Sequence, residues 1–120
     1  MNGPVAEALA GSPALAEKYA AFRDIAHAAL GEEMVAQIRA AVAEVHGVEA
    51  PAASGELPPA TLRYAKRMPF EHNEITDEEA AEVVAELGEK RYVAFSVIVA
   101  LADAECRAEK LDLPGLAASN

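Results

Sequence analysis

The sequence predicts an all-α fold, and three observations carry that expectation. Residues 92–102 are apolar apart from Ser96 and lie between charged flanks, so they read as a buried helix. Other segments place apolar residues three and four apart, and none alternates with period two for long enough to make a strand. Aromatic residues make up only 5% of the chain and Trp is absent, with alanine in their place, which suits closely approaching helices.

The elements follow in order. Residues 1–12 are Ala-rich and read as a flexible N-terminal segment with one turn of helix from Pro4. Ser12-Pro13 is a start signal, Ser as N-cap and Pro in the first turn. The helix it opens runs to Leu30 with Leu15, Tyr19, Phe22, Ala26 and Ala29 on one stripe and Ile25 beside it, and Gly31 stops it. Glu32 and Glu33 open a second helix, where negative charge suits the N-terminal dipole. Its stripe is Val35, Ile38, Val42 and Val45, flanked by Met34 and Ala41, and Gly47 ends it.

Residues 47–59 carry Pro51, Gly55, Pro58 and Pro59 and read as irregular. A short helix over 59–67 should bury Leu62 and Ala65 with Tyr64 at its edge. Met68-Pro69 should stop it, and Phe70 should anchor the next loop. Thr76 and Glu79 form a capping box. The helix behind it buries Ala80, Val83, Val84 and Leu87, and Gly88 closes it. The apolar helix then spans 89–111, Pro114-Gly115 stops it, and 115–120 are a C-terminal tail. Residues 13–114 form a single domain of five to six helices.

An eleven-residue apolar core is too short for a bilayer, which needs about 20 residues, so no membrane span is expected. A helix apolar all round must be covered on every side. So small a chain has few elements to do it, and the 89–111 helix is expected to meet a second copy in a homo-oligomer. The formal charge is −10, and the one basic cluster is Arg63, Lys66 and Arg67. That argues against nucleic acid and against anionic lipid. Cys106 is the only cysteine, which excludes an internal disulfide and suits a reducing compartment. With no basic-then-apolar segment at the N-terminus, a cytoplasmic protein is expected.

The C-terminal half resembles the carboxymuconolactone decarboxylase and alkylhydroperoxidase-D-like superfamily. The carrying residues are Leu62-Arg63-Tyr64-Ala65-Lys66, Ile75-Thr76-Asp77-Glu78-Glu79, Leu87-Gly88-Glu89, and the apolar helix running through Arg107 to Leu113-Pro114. Residues 35–47 are similar to the helix before that family's redox motif, with His46-Gly47 where members carry Asn-Gly or His-Gly. The resemblance implies an alkylhydroperoxidase-D-like helical bundle, oligomeric, shortened by a helix between the motif and the short helix. It also places the family's C-x-x-C pair on Val48 and Pro51, its histidine on Gly55, and its relay glutamate on Ala36, with Glu33 nearly one turn earlier. Thiol peroxidase chemistry needs a thiolate, a resolving thiol and a base. Val48 and Pro51 supply none of these, whereas the decarboxylase branch needs no redox pair.

The implied function is that of a non-redox member with a small-molecule pocket, performing a lyase or isomerase step or binding a ligand, with no cofactor. The alternative is a non-catalytic helical assembly or interaction domain, and residual peroxidase activity through Cys106 is a third. The polar residues to watch are His46, Glu49 and Glu33. His46 reads either as a cap for its helix's free carbonyls or as a general acid or base oriented by Glu49. Cys106 continues the stripe of Tyr92, Phe95, Val99 and Ala102 and reads as a small buried apolar residue. Tyr64 and Tyr92 read as structural hydrogen-bonding residues, and His27 as an exposed or edge residue. Glu71-His72-x-Glu74 falls short of a metal site, which needs three or four converging ligands, and no metal is expected.

Overall fold

The computed structural model describes residues 13–110, and every regular element among them is helical. The helices are Pro13–Leu30 (α1), Glu32–His46 (α2), Pro59–Glu71 (α3), Asp77–Leu87 (α4) and Glu89–Lys110 (α5), with a 3-10 turn His72–Glu74 before α4. The expected helical turn at Pro4, the Ser12 cap, the Pro114-Gly115 stop and both terminal segments lie outside the described residues.

α5 is the hub. α1, α2, α3 and α4 all pack on it, and α1 and α2 touch it far more than they touch each other. Phe95, Ile98 and Val99 are fully enclosed, with Ala94, Ala102 and Cys106 buried beside them. Ile38 and Val42 of α2, Ala65 of α3 and Val83 of α4 close around them. α5 is covered mostly by its own chain, and Val93 and Ala100 are the only residues of 92–102 that are exposed.

α4 starts as the sequence predicts: the Thr76 hydroxyl accepts from Glu79 N–H at 3.2 Å. The reciprocal half of that box is replaced, because the Glu79 carboxylate pairs with Arg67. α3 has no capping side chain of its own, since Pro58 stands at its N-cap. Glu86 of α4 does the work. Its carboxylate accepts from Ala60 N–H at 3.0 Å, and from Thr61 N–H and the buried Thr61 hydroxyl at 2.7 Å each.

Two expectations are corrected. α3 does not stop at Arg67: it continues through Pro69 to Glu71. An interior proline forfeits a backbone bond and crowds the preceding turn, at a cost of about 3 kcal/mol. Contacts beyond the helix hold the extra turn. Pro69 is buried, its carbonyl accepts from Arg107 Nη2 at 2.5 Å, and Phe70 packs 4.8 Å from the His46 ring. The second correction concerns α1. It buries Ala16, Tyr19, Ala26 and Leu30, while Leu15, Phe22 and Ile25 face outward.

Candidate functional site

The end of α2 sets the geometry. Gly47 takes a left-handed conformation (φ 70°), its N–H bonds to Glu44 O at 3.2 Å, and Val48 N–H bonds to Ala43 O at 3.0 Å. This pair of bonds is a Schellman closure, which only a residue free of the Cβ penalty makes without strain. It turns the chain back along α2. Gln37 then pins the returning segment by donating to Ser54 O at 2.8 Å. Gly55 (φ 73°) passes so close that an added Cβ would lie 3.1 Å from Gln37 Nε2.

Between this loop, α2 and α5 lies an open crevice of about 220 Å³. Val48, Ala50 and Pro51 form its loop wall, and Ala43, Ala102 and Cys106 its helical walls. Val48 and Pro51 thus line one cavity. Its polar groups are Arg39 and the carboxylates Glu49, Glu105 and Glu109. Arg39 Nη2 meets Glu105 at 3.0 Å, and the same carboxylate accepts from the Tyr19 hydroxyl of α1. Burial first, and then the bond to Glu105, push the Tyr19 phenol far up, so it stays protonated and donates. Arg39 Nε is buried with no hydrogen-bond partner among the described residues.

Cys106 brings a thiol to the crevice wall in its protonated form. Burial is the largest cause raising its pKa, and Glu109, Asp103 and Glu105 add to it, outweighing Lys110. A thiolate nucleophile is what peroxide reduction needs, and this environment disfavours it.

His46 lies elsewhere. Its ring is buried and points at α5, where Nε2 lies 2.7 Å from Asp103 Oδ1. Lys110 Nζ lies 3.4 Å from Nδ1, so Lys110 can donate there and leave Nε2–H to donate to Asp103. Asp103 also accepts from Arg107 Nε at 3.0 Å, and Arg107 and Lys110 both sit over the Phe70 ring. The cluster therefore ties α2, α3 and α5 together. His46 does not cap its own helix's carbonyls, and Glu49 does not orient it.

The three sequence candidates are thus not brought together. Glu49 lines the crevice, His46 is enclosed beside Asp103, and Glu33 is exposed near the start of α2, by Gly55. Tyr64 and Tyr92 take the structural hydrogen-bonding role expected of each, and they do so with one another, a pairing the sequence did not predict: their hydroxyls are 3.3 Å apart, and burial together with that bond pushes Tyr64 up to about 12. His27 takes the edge position of the two expected for it, half-buried, and burial, then Arg23 and Arg39, lower its pKa. Glu71 pairs with Arg67, and no metal-holding group of His, Cys, Asp and Glu occurs among the described residues. The basic cluster is fully engaged: Arg63 with Glu82, Lys66 with Glu44, and Arg67 with Glu71 and Glu79. No described helix is long and apolar enough to cross a membrane.

The site residues missing from the sequence reading are Arg39, Asp103, Glu105 and Glu109. One signal for Arg39 was available, since it follows Ile38 directly in a run of apolar neighbours, and one for a carboxylate such as Glu105, since Tyr19 needs a polar partner when buried. Comparison with family models, with curated proteins and with solved structures finds no match for the chain.

Proposed function

We propose that this chain binds a small molecule without redox chemistry, in the crevice between α2, the 47–58 loop and α5. On this reading it is a non-redox relative of the carboxymuconolactone decarboxylase-like proteins that works as an assembly of copies. The observation that carries the proposal is the cavity itself. Val48, Pro51 and Cys106 line one space of about 220 Å³ where the resemblance puts a reaction centre. Its walls suit an apolar body, and its charged groups suit a polar end.

Binding without turnover is favoured over a lyase or isomerase step. A general acid or base must come within hydrogen-bond reach of the reacting atom. Among His46, Glu49 and Glu33, only Glu49 lines the cavity, and the Cys106 thiol is held protonated.

The test is native mass spectrometry of the purified protein with co-purified ligand retained, followed by titration of that ligand. Ala50 is exposed on the loop wall, so Ala50→Trp should fill the crevice and leave the fold intact. The expected result is a retained small molecule whose affinity falls at least tenfold in the variant. Ligand binding equal in both proteins would place the ligand elsewhere, and a protein that retains and titrates nothing would overturn the proposal.

A further inference from the structure

α1 is lightly held for its length. Its 18 residues add only Ala26 and Leu30 to the buried core cluster, no more than Val83 and Leu87 of the 11-residue α4. Leu15, Phe22 and Ile25 face outward. It packs on α5 and, to a lesser extent, on α2. Much of what seats it is therefore polar.

Tyr19, Arg23 and His27 follow one another at four-residue spacing and share a face of the helix. The Tyr19 hydroxyl donates to Glu105 of α5, and the same carboxylate takes Arg39 of α2 at 3.0 Å. His27 Nε2 is buried with no hydrogen-bond partner among the described residues. The charged groups around the ring are Arg23 and Asp24 of α1, Arg39 of α2 and Glu105 of α5. Glu105 already serves both Tyr19 and Arg39, so it offers the ring little.

A neutral imidazole can keep its proton on Nδ1 and leave a bare lone pair at Nε2. A charged one is a donor at both nitrogens, and its Nε2–H would be enclosed with nothing to accept it. A stranded charged donor costs more than a stranded neutral acceptor.

We propose that His27 is an acid-sensitive latch: proton uptake from solvent at Nε2 frees α1 from α2 and α5 by local opening, while α2 to α5 keep their packing. Local opening of a lightly packed terminal helix needs less than the free energy of global unfolding. Burial first, and then Arg23 and Arg39, hold the seated ring below its ordinary value of 6.5. Seating energy from a lowered pKa is present above the value of the released ring and is lost as pH falls through the lower value of the seated one. Tyr19 leaves with α1, so the opening also strips a donor from Glu105, which lines the crevice. The latch itself rests on no part of the ligand-binding reading.

Residue-resolved hydrogen exchange of the full chain over about pH 5 to 8, which brackets ordinary imidazole titration, tests this. After correction for the intrinsic rate, protection of residues 19–30 should fall about tenfold toward the acid end, the factor given by one unit of pKa difference. Residues 79–87 of α4 should keep theirs, and His27→Gln, neutral throughout, should show no such fall in α1. Constant α1 protection in the wild type would overturn the proposal. So would an equal fall in α4, or the same fall in His27→Gln. Should that variant leave α1 open at every pH, the wild-type ring titrations followed by NMR decide: α1 opening that tracks His27 supports the latch, and opening that tracks His46 or His72 overturns it.

Discussion

His46 shows what a single residue's position can hide. A histidine at a helix end beside Glu44 and Glu49 suggests a cap or a base. The structure instead turns it inward onto Asp103, with Phe70 against its ring. Nothing local could have shown this, because Asp103 is far along the chain and the pairing depends on how α5 is rotated. The burial of Cys106 was legible, because helical spacing from Tyr92, Phe95, Val99 and Ala102 fixes its face. His46→Ala should lower unfolding free energy by about 1–3 kcal/mol, the cost of stranding a hydrogen-bonded partner. Glu49→Gln, on an exposed loop position, should stay within about 0.5 kcal/mol of wild type yet weaken ligand binding. Urea unfolding of the two variants checks both. Equal destabilisation would contradict the division between a structural histidine and a crevice glutamate.

At the scale of elements, the caps and breaks were the most legible features. Thr76, Gly31, Gly47 and Gly88 each mark a real boundary, since each conformation follows from the residue at that position. Pro69 was misread for the opposite reason: its local cost is real, but Arg107 and His46 from other helices outweigh it. The start of α3 was not legible either, because its cap comes from Glu86 of another helix. Burial alone would raise the Glu86 pKa, but the donors from Thr61 and Ala60, with Arg63 nearby, hold it below the usual carboxylate range. A depressed folded-state pKa adds stability that is present above the unfolded value of about 4.3 and is lost as pH falls through the lower folded value. Glu86→Gln should therefore be less stable than wild type at pH 7, by about 1 kcal/mol for a largely exposed cap. The gap should close on acidification below about pH 4, where the wild-type carboxylate gains its proton. A gap that does not vary between pH 7 and pH 3 would contradict the charge-based cap.

For the whole molecule, the all-α architecture was legible because helical periodicity and turn residues agree along the chain. The number of covering helices was not. An apolar run says that it must be covered, not whether neighbouring helices or another subunit does it. The same limit applies to α1, whose helical period was legible but whose inward face was not: Tyr19 and Ala26 of the expected stripe are buried, while Leu15 and Phe22 face away from the chain's own core. The polar wall of the crevice was not legible, because it comes from Arg39 and Glu105 on separate helices.

The central claim is that α5 is held by its own chain, through α1, α2, α3 and α4. Hydrogen exchange of the amides of residues 95–102, compared between dilute and concentrated protein, tests it most directly. Equal protection in both, with opening only by global unfolding, is the predicted result. Loss of that protection on dilution would mean that α5 needs another subunit to cover it, and would contradict the claim.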